Sequence, residues 1–267
     1  MNFTFPLIKF STKVRLEDLQ NGTMYLGNAT HYREMENKQG NTVQGDKLEC
    51  KIPYFGNRFD KLLEKTDTFS DLSLMRANTF ICCMYALKGK NIVAVGENWI
   101  AFSIDREHEK IREFGDHALV ICGVDRFAQS FESAEIDCEF RLQGYVDYRE
   151  LHNFEIANSI SDEFISYLTD TNPTKAQKTM MPFELIKDIG YEYQQEYRFV
   201  VHTGCSPNDT IKEYQGKIET KGIKINMENC ISHSFICPTE DILSQTLCLK
   251  WGDGKFEAGF LKNEVIS

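Results

Sequence analysis

A carboxylate and a guanidinium two positions apart, Glu196 and Arg198, are the most chemically suggestive pair in this chain. They lie in Tyr191-Glu192-Tyr193-Gln194-Gln195-Glu196-Tyr197-Arg198-Phe199-Val200-Val201. The spacing predicts a β-strand over Tyr191 to Val201. With a period of two, Tyr191, Tyr193, Tyr197, Phe199 and Val201 share one face, and Glu192, Gln194, Glu196 and Arg198 share the other, continued by His202. Side chains two apart on a strand stand about 7 Å apart at their bases, so Arg198 can reach Glu196 and fix its rotamer. A carboxylate held that way can orient a sugar hydroxyl or stabilise a developing cation. Two readings stay open: a half-buried strand whose polar face is wet and whose charges form a weak surface pair, or a strand whose polar face lines a cleft.

Other groups carry weaker signals. Asp46, Glu49 and Glu196 would suit Mg²⁺ and phosphodiester cleavage if they met, but solvated loop acids are the simpler reading of the first two. Arg33 and Glu36, three apart on a short helix, would face one side and either pair locally or join a pocket. Cys230, His233 and Cys237 have a zinc-like spacing, yet Ile231 to Cys237 alternates like a strand and no fourth ligand is near. No metal is therefore expected. The chain contains no G-x-x-x-x-G-K-[ST], G-x-G-x-x-G or H-E-x-x-H motif, so P-loop, Rossmann and common zinc-protease chemistry lack support. His31, His117, His152 and His202 are isolated in sequence.

The elements that must position these residues can be read along the chain. Leu7 to Phe10 reads as a strand, followed by Thr12 as the N-cap of an amphipathic helix, Asn21-Gly22 as its stop, and a second strand over Thr23 to Gly27. His31 to Asn37 reads as helical. Thr79 to Leu87, Trp99 to Ile104 and His117 to Val124 read as strands buried on both faces, with a charged helix between the last two at Asp105 to Phe114. Asp125 reads as the N-cap of a helix ending near Glu135, and Glu139 to Tyr148 as a strand. The last third adds strands over Gly222 to Met227 and Ile231 to Cys237, a helix over Thr239 to Leu249, a turn at Trp251-Gly252-Asp253-Gly254 and a closing strand.

Composition bounds the rest. The chain has 267 residues, 42% of them hydrophobic and 12% aromatic, enough for a substantial core. The expected architecture is one α+β domain over 1–267, with a mixed, largely antiparallel sheet flanked by helices and a flap or insertion at about 152–182. Nine cysteines without a regular framework favour a reducing compartment, and neither a signal peptide nor a run of 18 apolar residues occurs. The expected location is cytoplasmic, away from membranes. A net charge of −10 argues against broad nucleic-acid binding.

Two resemblances follow from these residues. Tyr191 to Arg198 resembles the W-x-x-E-x-E-Y-R strand of a large bacterial and phage family of unknown function, with Tyr191 in the place of the tryptophan. Leu19 to Asn28, the acidic pair Asp46 and Glu49, and Ile236-Cys237-Pro238 before a helix also resemble that family. It implies a role in conflict between bacteria and phages. Gln194-Gln195-Glu196 resembles the Gln/Glu-x-Glu of ADP-ribosyltransferases, as does the strand-helix-strand order ending in Tyr25-Leu26-Gly27. Lys9 stands where that family has a first-strand Arg or His, and Ser11-Thr12 and Ser103 only loosely match its hydroxyl motif. This resemblance implies a nucleotide-like ligand, NAD above all, with Glu196 stabilising the sugar cation and Gln194 positioning the acceptor. Arg198 would hold Glu196 or a phosphate, and Tyr25 or Tyr32 would stack on a planar ring. The expected binding set is Tyr25, Tyr32, Arg33 and Lys9. Two competing expectations are a sensor or protein-interaction module without turnover, and a metal-dependent nuclease.

Overall fold

The computed structural model describes residues 5–32, 35, 78–104, 109–138, 140–151, 153, 155–156, 159, 183–203, 221–228, 233–252 and 255–261. The architecture is α+β and the sheets are largely antiparallel. Among the described residues the larger sheet has eight strands: β1 (Leu7–Ser11), β2 (Thr23–Asn28), β3 (Thr79–Ala86), β6 (His117–Ile121), β7 (Phe140–Tyr145), β10 (Glu196–His202), β11 (Gly222–Asn226) and β12 (Ser234–Pro238). A four-stranded sheet runs β14-β13-β5-β4, from β4 (Ile92–Gly96), β5 (Trp99–Phe102), β13 (Thr246–Gly252) and β14 (Lys255–Leu261). A short parallel pair joins β8 (Asp147–Arg149) to β9 (Ile186–Asp188). The helices whose bounds lie within the described residues are α1 (Lys13–Gln20), α2 (Val124–Ser133) and α3 (Thr239–Ser244). Among the described residues no helix is long and apolar enough to cross a membrane.

β3 determines the functional geometry. Its residues Thr79 to Tyr85 pair along one edge with β10. Its other edge is shared. β2 pairs there at Ile81 and Phe80, and β1 pairs at Ala86 and Tyr85. β1 and β2 both leave Cys82, Cys83 and Met84 unaccompanied, so the sheet splits along this stretch. Helix α1 links the two diverging strands and buries Leu16 and Leu19 beneath them.

The β10 sequence explains why that strand is central. Phe199 packs edge-on against Phe127 and Phe131 of α2, with ring centroids 5.2 and 5.0 Å apart. Tyr197 and Val201 join it on the same face and the same core cluster. The opposite face carries Glu196 and Arg198, and Arg198 is completely buried.

Several elements differ from the sequence reading. The strand expected over Tyr191 to Val201 begins only at Glu196, because Ile189–Gln194 is a 3₁₀ turn. Asp188 starts that turn by accepting a hydrogen bond from the Gly190 N–H at 2.9 Å, an Asx-type arrangement that competes with a strand ladder. Gln195 ends it in the left-handed region at φ 41°. Glu192 and Gln194 therefore share no strand face with Glu196. The helix expected over Thr239 to Leu249 stops at Ser244 and gives way to β13, where Leu247 and Leu249 point into the core shared with Ile100 and Phe102. The described part of the expected charged helix, Glu109–Phe114, is 3₁₀. Gly123 rather than Asp125 is the N-cap of α2. β4 and β9 were not anticipated.

Candidate functional site

The sheet split opens into a cleft of about 420 Å³. Its floor comes from β1 and β3, its walls from α1, β2 and the 3₁₀ turn before β10. Lys9, Arg15, Tyr25, Tyr32, Lys187, Gln194, Glu196 and Lys221 all line it. Among the described lining residues four side chains are cationic and Glu196 alone is acidic, in a chain whose net charge is −10.

Glu196 occupies the inner end. Its Oε1 accepts from the Lys187 ammonium at 2.7 Å and its Oε2 from Arg198 Nε at 2.6 Å. All three side chains are buried. Burial by itself would push the carboxyl up, but Arg198 and then Lys187 outweigh it and hold Glu196 well below the usual carboxylate range. The carboxylate is therefore ionised throughout the physiological range. The Glu196 N–H donates to the Tyr148 hydroxyl at 2.8 Å, and burial followed by the Glu196 charge drives that phenol's pKa upward.

Lys187 and Gln194 complete this corner. Lys187 also donates to Gln194 Oε1 at 2.6 Å and lies 4.7 Å from the centroid of the Tyr191 ring. Gln194 donates to the Tyr193 hydroxyl at 3.3 Å. Arg198 is anchored by donating from Nη1 to the Glu184 carbonyl at 2.6 Å. Gln195 hydrogen-bonds the Tyr85 hydroxyl through its amide, which secures the left-handed residue from the β3 side.

On the floor, Lys9 Nζ donates to the Cys83 carbonyl at 2.7 Å. The ammonium thus spans the split from β1 to the section of β3 that β1 and β2 leave open. Lys9 is half-buried and has no acidic partner among the described residues. Tyr32 is held against the backbone of Gly27, where an added Cβ would lie 2.6 Å from the phenol oxygen. The absence of a side chain at Gly27 is what lets that ring lie down on β2.

Of the expected site residues, Glu196, Gln194, Tyr25, Tyr32 and Lys9 line this same cleft, and Arg198 supports it from behind. Gln194 arrives from the 3₁₀ turn rather than from the strand. Arg33, Asp46, Glu49, Glu36, His152 and Cys230 lie outside the described residues, as does most of 152–182. Among the described residues no group of three or more His, Cys, Asp or Glu is placed to hold a metal. His233 packs against the Phe256 ring and Cys237 is buried, its Sγ 3.8 Å from the Ala118 carbonyl. His202 stacks on Phe140 at a centroid distance of 4.9 Å.

Sequence reasoning missed Lys187, Arg15 and Lys221. Lys187 reaches Glu196 through the parallel β8-β9 pair, a non-local pairing with no local signature. Comparison of the chain with protein-family models, with curated proteins and with solved structures finds no match in any of the three.

Proposed function

We infer that the cleft binds an anionic, ring-bearing ligand of the nucleotide type. The observation that carries this reading is the lining itself: among the described residues, cationic side chains and tyrosine rings face one cavity around a single carboxylate that stays ionised. Lys9 meets a phosphate, since two of its three ammonium protons are not used by Cys83. Tyr32 supplies a fixed ring for stacking. The sharpest form of the reading is ADP-ribosyl transfer from NAD. The bond between C1′ and the nicotinamide nitrogen breaks, nicotinamide leaves with the bonding electrons, and an acceptor attacks C1′ and releases its proton. Glu196 would accept a hydrogen bond from the ribose hydroxyl and face the positive charge that develops on the sugar. Each of its oxygens accepts one bond from Lys187 or Arg198 and keeps a second lone pair for that hydroxyl.

Incubation with NAD labelled in the nicotinamide ring tests this form. Release of labelled nicotinamide, abolished by Glu196→Gln, is the expected result. The alternative class is a sensor without turnover, favoured by the commitment of both Glu196 oxygens to internal cations. There Glu196→Gln changes affinity modestly and no nicotinamide is released by either protein.

A further inference from the structure

We propose that the mouth of the cleft is a second subsite, built by Arg15, Tyr25 and Lys221, for an anion-bearing aromatic group of the nucleoside-phosphate class. It is distinct from the inner station at Lys9, and it rests on the reading of the cleft as a nucleotide site. Tyr25 is 42% exposed, yet its ring is held on two sides. The Arg15 guanidinium lies 5.9 Å from the ring centroid. The phenol end lies on Gly222, where an added Cβ would stand 2.4 Å from the hydroxyl oxygen. An exposed ring fixed this way loses little conformational freedom when a planar group stacks on it.

The charges around it are sorted. Lys13 pairs with Glu17 at 3.9 Å and Lys224 with Asp18 at 3.7 Å. Arg15 and Lys221, the two cations of this corner that line the cleft, have no acidic partner among the described residues. At 5.9 Å from the centroid the Arg15 guanidinium is at the outer limit of a cation–π contact rather than closed onto the ring, and its N–H groups remain available to phosphate oxygens. Lys221 is positioned by its backbone, whose carbonyl accepts from the Asn28 N–H at 2.9 Å. Lys9 is half-buried on the floor whereas Arg15 and Lys221 are exposed at the rim, so the outer pair meets solvent where the inner ammonium does not.

The same chemistry can be supplied by the far end of one long ligand or by a separate nucleotide, and calorimetry of the full chain with AMP and ADP-ribose distinguishes them. Arg15→Gln/Lys221→Gln is the diagnostic variant; both positions are exposed, so it melts as the wild type does. If one ligand spans both stations, ADP-ribose binds once and about tenfold or more tightly than AMP, the size of one good charge-assisted contact, and the variant erases the difference. If the outer station takes a separate molecule, AMP binds twice per chain and the variant loses one site. Binding of AMP at one site, with ADP-ribose no tighter and the variant without effect, overturns the outer subsite and leaves the inner one standing. No binding of either probe overturns the nucleotide reading, and the outer subsite with it.

Discussion

Replacing Lys187 by methionine tests how the buried corner is held. The substitution keeps an unbranched side chain of similar length, removes one of the two cations on Glu196, and leaves Gln194 Oε1 without the 2.6 Å donor it has now. Breaking a buried ion pair by deleting one partner costs roughly 3–5 kcal/mol, because the remaining charge stays buried. For a chain of this size each kcal/mol moves the melting temperature by about 2–4 °C, so a fall of roughly 6–20 °C is expected. Arg198 still compensates Glu196, which favours the lower half of that interval. The effect must also depend on pH. Glu196 has a folded pKa lowered below its unfolded value, so its contribution is fully present above about pH 4.3, the unfolded value, and is lost as pH falls through the folded one. The gap between wild type and Lys187→Met should therefore be widest near pH 7 and narrow once pH drops below about 4.3. Urea unfolding at both ends of that range is the assay. A gap under about 0.5 kcal/mol at pH 7, the size of an ordinary surface substitution, would refute the account of the corner.

Three further outcomes follow from single contacts. Gly27→Ala places a methyl group against the Tyr32 phenol; the ring should swing away, weakening nucleotide binding in calorimetry while stability changes by about 1–3 kcal/mol at most. Gln195 occupies the left-handed region, so Gln195→Val should destabilise by at least about 1 kcal/mol more than Gln195→Gly in denaturant titrations, since only glycine adopts that backbone freely. Burial pushes the Cys122 thiol up to about 12. Alkylation followed by mass spectrometry at pH 8 should therefore find Cys122 labelled orders of magnitude more slowly in the native chain than in urea, because only about one thiol in ten thousand is thiolate there.

Much of the fold could be read from local pattern, and the limits of that reading are instructive. β1, α1 and β2 follow from apolar runs punctuated by Thr12 and Asn21-Gly22, and β3, β5 and β6 from runs buried on both faces. Glu196 and Arg198 were paired correctly because a two-residue spacing on a strand needs no tertiary information. The 3₁₀ turn over Ile189–Gln194 was not legible, since Tyr, Glu and Gln alternate there as a strand would. What breaks the pattern is the Asp188 cap and a left-handed Gln195, and a non-glycine left-handed residue leaves no mark in sequence. α3 and β13 merged into one expected helix because no glycine or proline separates Ser244 from Thr246, so that tertiary packing of Leu247 and Leu249 decides the outcome. Lys187 joins the site across the parallel pairing of Tyr148 with Lys187. The gathering of Lys9, Arg15 and Lys221 depends on two strands parting along β3, a property of topology that no window of sequence contains.

The most direct test of the central claim, that the split in the sheet is a nucleotide site with Lys9 on its floor, is calorimetric titration of the full chain with NAD, beside Lys9→Met. Saturable one-to-one binding that the substitution weakens by about tenfold or more, the loss expected when a phosphate forfeits a charge-assisted partner, is the predicted result. Absence of binding by the wild type, or equal affinity in the two proteins, would contradict it.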